Sequence, residues 1–199
     1  MSPDHYFTKD PNAPSRRAEV LLKLPDLEAS LVVDRGVFSA GGVDPGTMEL
    51  LRAVPVPPET GNLLDLGCGY GPIACALAHR SPDATVWAVD VNERALALAA
   101  ENASRLGLAG VKPVTPDHVP DGLVFDGIWS NPPIRIGKAA LHDLLSAWLA
   151  RLTPTGSAWL VVHRHLGGDS LAAWLASSEY TVERIASKKG YRILRASRP

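Results

Sequence analysis

The chain has 199 residues, of which 46% are hydrophobic and 21% are charged, and its formal net charge is −1. This length accommodates one α/β domain with a short extension and excludes two large domains, while the composition excludes disordered and fibrous classes. The small net charge argues against nucleic-acid binding by the whole molecule, although residues 101–199 carry 12 basic and 8 acidic side chains.

Residues 1–60 are predicted to be an N-terminal extension with a hairpin. Prolines are frequent in this part of the chain, and two apolar runs at 30–33 and 37–38 flank the turn residues Asp34, Arg35 and Gly36. Turn residues between apolar runs are typical of a β-hairpin. We therefore expect residues 1–60 to be a lead-in and not a second domain.

From residue 61 onward, short apolar runs alternate with helical patterns. Strands are predicted at 62–66, 85–90, 111–115, 123–130, 156–163, 181–186 and 191–196, with helices at 72–80, 93–106, 138–152 and 168–177. Such alternation is typical of a mainly parallel sheet covered on both faces. The last two strands are too close for a parallel crossover, so they should pair antiparallel. The sequence predicts a Rossmann-like, doubly wound α/β domain over 61–199, with a seven-stranded sheet ending in a hairpin.

A glycine-rich turn, DLGCGYG at positions 65–71, follows the first strand of this domain. Glycines at such a turn let the backbone bend sharply and approach a ligand closely. A dinucleotide-binding turn would have its third glycine at position 72, where this chain has Pro72. We therefore expect Gly67, Gly69 and Gly71 to bind a cofactor other than NAD.

Two acidic residues indicate the chemistry of that cofactor. Asp65 precedes the glycines, and a carboxylate there suits an ammonium group better than a pyrophosphate. Asp90 ends the next strand, where its carboxylate can accept hydrogen bonds from both ribose hydroxyls, and Asn92 caps the helix that follows. An amine at one end and a ribose beyond it describe S-adenosylmethionine, so Asp65, Asp90 and Asn92 are predicted to bind it.

A second motif, Asn131-Pro132-Pro133, comes after the strand at 123–130 and at the same sheet edge as the glycine turn. Neither proline has an N–H, so hydrogen-bond acceptors dominate this segment. The amide oxygen of Asn131 and the carbonyl of Pro132 can accept both hydrogens of a planar exocyclic amino group. This would direct the nitrogen lone pair at a sulfonium methyl, so Asn131 and Pro132 are the predicted catalytic residues, with Asn131 also beside the cofactor.

Both motifs resemble those of a known family. DLGCGYGPIA at 65–74 and VDVNERALALAAENA at 89–103 are similar to the cofactor motifs of class I methyltransferases. SNPPIRIGK at 130–138 resembles more narrowly the guanine-N2 methyltransferases of small-subunit ribosomal RNA, which contain the methyltransferase small domain. The likeness extends to GVFS at 36–39, VDPGT at 43–47 and KGYRIL at 189–194. It implies S-adenosylmethionine as cofactor and a contact of Asp117 with its adenine amino group.

The resemblance also implies a place for an RNA base. Pro133 and Ile134 would contact the base, with Ile134 standing where most relatives have an aromatic residue. Base stacking on aromatic side chains contributes ~1–3 kcal/mol, so Phe38 would have to compensate. Arg135 and Lys138 would contact phosphate.

Two-domain relatives have a further N-terminal domain, which is expected to be absent here. RNA docking would then depend on a partner or on the C-terminal basic cluster, which consists of Lys188, Lys189, Arg192, Arg195 and Arg198.

The expected function is S-adenosylmethionine-dependent N-methylation of a nucleobase amino group, with guanine N2 of small-subunit ribosomal RNA as the leading substrate. Ribosomal RNA or the ribosomal subunit is therefore the expected partner. Three alternatives stay open: an acceptor that is adenine N6, cytosine N4 or a protein glutamine; a non-catalytic RNA-binding module on the same fold; and NAD-dependent oxidoreduction, which Pro72 disfavours.

The sequence also predicts the absence of membrane segments, disulfides and metal sites. No apolar run is long enough to span a membrane, and the N-terminus lacks the pattern of a signal peptide. We therefore expect a cytoplasmic protein with no membrane partner. Cys68 and Cys75 are too few for a disulfide framework or a cysteine-based zinc site, and no metal is expected.

Overall fold

A seven-stranded sheet forms the centre of the protein, whose computed structural model describes residues 14–39 and 41–199. The elements in chain order are β1 (Ala18–Lys23), β2 (Glu28–Val33), α1 (Pro45–Ala53), β3 (Asn62–Leu66), α2 (Pro72–Arg80), β4 (Thr85–Val89), α3 (Glu93–Arg105), β5 (Val111–Val114), β6 (Phe125–Ser130), α4 (Lys138–Leu149), β7 (Leu152–His163), α5 (Gly168–Ser177), β8 (Thr181–Lys188) and β9 (Tyr191–Ser197).

The strand order in the sheet is β5-β4-β3-β6-β7-β9-β8. All neighbouring strands are parallel except β7 with β9 and β8 with β9, which are antiparallel. The expected fold, a mostly parallel α/β sheet ending in an antiparallel hairpin, is therefore confirmed. The chain leaves β3 for β4 on one side and later returns to β6 on the other, so the loops after β3 and β6 flank the point where the winding direction reverses.

The central strands of the sheet are buried on both faces because their side chains alternate between two apolar layers. In β7, Trp159 and Val161 pack in the layer that contains α1, α2 and α3, whereas Ala158 and Leu160 pack in the layer with α4 and α5. This period of two is the strand geometry expected of a doubly covered sheet. No helix in the described part of the chain is long and apolar enough to cross a membrane.

The N-terminal hairpin exists, but it lies earlier in the chain than predicted. β1 pairs antiparallel with β2, so residues 30–33 form the second strand of the hairpin and not the first. Residues 37–38 are not a strand, because the chain turns at Asp34, whose carboxylate accepts from the backbone N–H of Arg16 and Arg35 and from the Ser15 hydroxyl. The predicted pairing of 30–33 with 37–38 is therefore wrong.

Hydrogen bonds of one buried amide connect this hairpin to the rest of the protein. Asn102 of α3 accepts from Val32 N at 2.7 Å and donates to the carbonyls of Val32 and Tyr70 at 3.0 and 2.9 Å. Residues of β1, β2 and α1 also share one apolar layer with α2 and α3. The boundary at residue 60 stays a prediction.

Candidate active site

A cavity of about 490 Å³ opens at the carboxyl edge of the sheet, between the loops that follow β3 and β6. Its volume lies within the ~300–1,000 Å³ range of small-molecule sites, and its position is where open α/β sheets bind ligands. The predicted site residues that line it are Phe38, Gly67, Gly69, Asp90, Asn92, Asn131, Pro132, Pro133, Ile134 and Arg135. The structure thus brings both sequence motifs to one cavity.

The glycine turn is fixed by its backbone and leaves free space in front of it. The N–H groups of Gly67 and Cys68 both donate to the carbonyl of Val89, at 2.8 and 3.0 Å. Gly67 and Gly69 have φ of +75° and +54°, a conformation that favours glycine. Apart from its chain neighbours, a Cβ added to either would meet no atom of the described residues within 4 Å, so a ligand can approach the backbone there.

Asp90 connects this turn to the start of α3. Its two carboxylate oxygens accept from Gly69 N and Asn92 N, each at 2.9 Å. Burial raises the pKa of Asp90 above its usual value. Asn92 caps α3, since its side-chain oxygen accepts from Arg94 N and Ala95 N. Each oxygen of Asp90 keeps a lone pair with which it can accept a ligand hydroxyl.

Asp65 lies beneath the glycine turn and does not line the cavity. Its carboxylate is fully buried; Oδ2 accepts from Ala74 N in the first turn of α2 at 2.9 Å, and Oδ1 has no partner within the described chain. Burial, with a smaller contribution from the negative charge of Asp90, raises the pKa of Asp65 to about 8. A nearby cation would favour the ionised form, so this group suits a positively charged ligand.

The raised pKa of Asp65 predicts a stability that depends on pH. Between the ordinary value of 3.8 and about 8, the folded protein keeps a proton that the unfolded chain has released, so raising the pH lowers the free energy of unfolding. We expect Asp65→Asn to remove this loss of stability, whose slope is about 1.4 kcal/mol per pH unit at most. Urea denaturation at pH 5, 6.5 and 8 measures it, with the exposed Asp121→Asn as control. A difference between wild type and Asp65→Asn that stays constant with pH would contradict this assignment.

Asn131 is held in one orientation by residues from the start of α1. Its amide nitrogen donates to Asp44 Oδ1 at 2.7 Å and to Thr47 Oγ1 at 3.0 Å. Asp44 is also the N-cap of α1 and accepts from Thr47 N at 3.0 Å. No described residue donates to the amide oxygen of Asn131, so that oxygen remains available as an acceptor in the cavity.

The two prolines form a tight turn after Asn131. Pro133 has φ −73° and ψ 74°, and Ile134 N donates to the carbonyl of Pro132 at 2.8 Å, the geometry of an inverse γ-turn. One lone pair of the Pro132 carbonyl is therefore used and one remains. Two acceptors, on Asn131 and Pro132, thus come from consecutive residues beside the glycine turn.

The family model of the methyltransferase small domain matches residues 28–195. The chain belongs to the methyltransferase small domain family. The expected family and class of enzyme, a methyltransferase, are therefore confirmed. The match begins at β2, so most of the N-terminal segment described above lies within the family's domain.

Relatives of the family differ in how much of their length this chain covers. The uncharacterized protein YbxB of Bacillus subtilis (strain 168) is 34% identical over 198 residues, 98% of each chain. Ribosomal RNA small subunit methyltransferase C of Shewanella halifaxensis is 35% identical over 158 residues, which cover 74% of this chain but 44% of that protein. The chain thus spans less than half of that relative.

A solved structure of the family has the same fold. It is the 16S rRNA N2 G1207 methyltransferase of T. thermophilus in complex with AdoMet and guanosine, which matches with a TM-score of 0.80 and 25% identity. The likeness covers 95% of this chain and 52% of that one. Lactobacillus delbrueckii ribosomal protein L11 methylase, with a TM-score of 0.60 and 22% identity, shares the fold.

Three further predicted residues of this methyltransferase domain lie outside the cavity. Gly71 caps α2 with φ +87°, and a Cβ there would lie 3.1 Å from the Cβ of Ala99, so glycine is needed for helix packing. Asp117 lies in the 3-10 turn Pro116–His118 with its side chain 80% exposed, and Lys138 begins α4 at the surface. The structure does not bring Gly71, Asp117 or Lys138 to the cavity, and their ligand contacts stay predictions.

The side chains of the C-terminal basic cluster all have partners in the structure. Lys188 and Lys189 pair with the buried carboxylate of Glu49 at 3.7 and 3.0 Å, and Arg195 pairs with Glu183 at 3.4 Å. The remaining members are also engaged, Arg192 by Asp169 and Arg198 by the carbonyl of Ala150. Each cation of the cluster thus has a partner, and the expectation that RNA docks there stays a prediction.

Two basic residues after the Asn-Pro-Pro motif lack such partners among the described residues, and one of them belongs to the cavity. Arg135 lines it, and Lys138 follows three residues later; neither side chain forms an ion pair or hydrogen bond with any residue of 14–39 and 41–199. No group of three or more metal-ligating side chains occurs in the same ranges.

Sequence reasoning missed several residues of the site. Tyr191 and His163 line the cavity as an edge-to-face pair with ring centroids 5.0 Å apart, and Asp44 lines it beside Asn131. Thr47, in the first turn of α1, accepts a hydrogen bond from the Asn131 amide. For Asp44 and Thr47 the sequence did contain a signal. The dipeptide Asp44-Pro45 is typical of an N-cap followed by the first residue of a helix.

Proposed function

We propose that this protein methylates the exocyclic N2 of guanine in small-subunit ribosomal RNA. The observation that carries the proposal is the orientation of Asn131, whose amide nitrogen is occupied by Asp44 and Thr47 so that its oxygen is the free group. A free acceptor at this place suits an amino group, which has hydrogens to donate. The names of the ribosomal RNA methyltransferases among the relatives support the choice of substrate.

The cofactor of the enzyme is S-adenosylmethionine, as expected from the sequence. The charged side chains that line the cavity are Asp44 and Asp90, with Arg135 at the mouth, so the end near the glycine turn suits a cation and not a pyrophosphate. Gly67 and Gly69 would present their backbone to the cofactor, and Asp90 would accept from its ribose hydroxyls. When bound, the cofactor supplies an electrophilic methyl group on a sulfonium.

The acceptor residues position the nitrogen that receives the methyl group. A ring amino group is a poor nucleophile because its lone pair is delocalised. Asn131 Oδ1 and the Pro132 carbonyl would each accept one of its hydrogens, which holds the nitrogen in place and favours a pyramidal form with its lone pair free. The nitrogen gives up its extra proton only after transfer, so that proton can pass to water and no general base is required.

Apolar and aromatic side chains form the walls against which a base would lie. Phe38 is 42% exposed and lines the cavity together with Ile134, Tyr191 and His163. Aromatic faces at Phe38, Tyr191 and His163 can take over the stacking that Ile134 cannot give. The target base would have to leave its stack to enter, which costs a few kcal/mol in a duplex and less in single-stranded RNA. Arg135, which lines the cavity, and Lys138, three residues further along the chain, would contact phosphate.

The direct test is transfer of labelled methyl groups from S-adenosylmethionine by the purified protein. The substrates are 16S ribosomal RNA and small subunits from cells that lack the protein, followed by nucleoside analysis. We expect label in N2-methylguanosine. Label in methylated adenosine, cytidine or glutamine would overturn the substrate while keeping the enzyme class. RNA binding without transfer would indicate a non-catalytic module and overturn the proposal.

A further inference from the structure

The amide of Asn131 has a fixed direction because of the group that faces its nitrogen. A carboxylate only accepts hydrogen bonds, so the Asp44 oxygen at 2.7 Å requires the NH2 of Asn131 on that side. A flipped amide would place its oxygen against the Asp44 carboxylate and lose that hydrogen bond. The Thr47 hydroxyl at 3.0 Å can either donate or accept, so it adds a contact without choosing the direction.

The same carboxylate oxygen also has a structural partner. Asp44 Oδ1 caps α1 through Thr47 N at 3.0 Å. The ring of Tyr191 lies over Gly46, where a Cβ would come within 2.7 Å of the ring and 2.9 Å of Asp44 Oδ1. The segment that carries Tyr191 is fixed to α1, since Lys188 and Lys189 pair with Glu49 of that helix.

We propose that Asp44 and Thr47 are positioning residues that hold the Asn131 amide with its oxygen toward the acceptor nitrogen. This rests on the proposed function, because the reaction needs an acceptor at that point. Asp44 determines on which side the NH2 of the Asn131 amide lies, and Thr47 restricts the rotation of that side chain further. Both act through Asn131 and neither contacts the reacting atoms.

The decisive variant is Asp44→Ser, because serine still caps a helix but is too short to reach the Asn131 amide. We expect kcat to fall roughly 10- to 100-fold, since small misplacements of a reacting group have effects of this size. The dissociation constant for S-adenosylmethionine should rise by a clearly smaller factor, which reflects the lost negative charge in the cavity, because an interaction made only in the transition state alters kcat and not binding of the cofactor. An equal loss in cofactor affinity would make Asp44 a cofactor ligand and overturn the proposal, as would an unchanged kcat.

Two further variants at Thr47 and one control complete the set. Thr47→Val keeps the shape of this buried side chain and removes the hydroxyl, and we expect a roughly three- to tenfold loss in kcat from one neutral hydrogen bond. Thr47→Ser keeps the hydroxyl and should restore most of the rate. Asp121→Ser makes the same change as Asp44→Ser at an exposed position and should leave the rate unaltered.

A double variant separates positioning from other roles. Once Asn131 is alanine, adding Asp44→Ser should cause little further loss, because residues that act through one another are not additive. Additive losses would overturn the proposal.

A spectroscopic readout is independent of the substrate. The side-chain amide signal of Asn131, assigned by its disappearance in Asn131→Ala, should shift upfield in its protons and exchange faster in Asp44→Ser. An unchanged signal would overturn the positioning role. If wild type instead fails to methylate guanine, the proposed function fails while this signal still reports on Asp44.

Discussion

Replacing Asn131 by alanine is expected to lower the rate of methyl transfer by roughly 100- to 1,000-fold, the range seen when a preorganised transition-state contact is removed. The variant loses the free amide oxygen that would hold the acceptor amine, while the glycine turn and Asp90 stay in place. The dissociation constant for S-adenosylmethionine should therefore change less than about threefold. Single-turnover transfer at saturating cofactor and calorimetric titration measure the two quantities.

The matched control for this variant is Asn62→Ala. Asn62 begins β3, at the opposite edge of the sheet, and accepts from the Trp87 ring nitrogen at 3.1 Å. We expect it to lower stability slightly and to leave the rate per folded enzyme unaltered. Turnover by Asn131→Ala that matches wild type would refute the catalytic role of this amide.

Replacing Asp90 by alanine is expected to weaken the binding of S-adenosylmethionine by roughly 100-fold. Two backbone N–H groups, of Gly69 and Asn92, would lose their acceptor, and the ribose hydroxyls would lose theirs. Each hydrogen bond to a charged group contributes about 1.5–3 kcal/mol, so loss of the ribose contact and loosening of the turn together account for the effect. Calorimetric titration measures the dissociation constant.

Asp83→Ala is the control for Asp90→Ala, since Asp83 is exposed and lies just before the other end of β4. It removes the same charge far from the cavity and should keep wild-type affinity. If Asp90→Ala also binds as wild type does, the ribose is held elsewhere and the cofactor assignment at this carboxylate is wrong.

The centre of the fold was predictable because its signals are local. β3 and α2 have their predicted bounds: an apolar run ends at a glycine turn, and Pro72 suits the first turn of a helix. α3 begins at the expected cap, Asn92. The helix predicted at 138–152 instead ends at Leu149, because Leu152 pairs with Phe125 and begins β7. That pairing joins distant residues, and the apolar pattern of the helix could not reveal it.

The residues of the site likewise divide into those with a local signal in the sequence and those without one. Both motifs were found because each is a short run of residues with a defined backbone geometry. Asp44 was not assigned a role, since its bond to Asn131 joins residues 87 apart in sequence. The partners of the basic cluster were missed for a related reason, because the carboxylates that pair with Lys189 and Arg192 come from α1 and α5.

Under the proposed function, the fixed amide of Asn131 determines which edge of a guanine can face it. A guanine presents an amino edge at N2 and a keto edge at O6, and amides can bind either by turning over. With its NH2 committed to Asp44, Asn131 can offer only oxygen, which attracts the amino edge and repels the keto edge. Asp44, the carboxylate that caps α1, would thereby select the orientation in which a base enters.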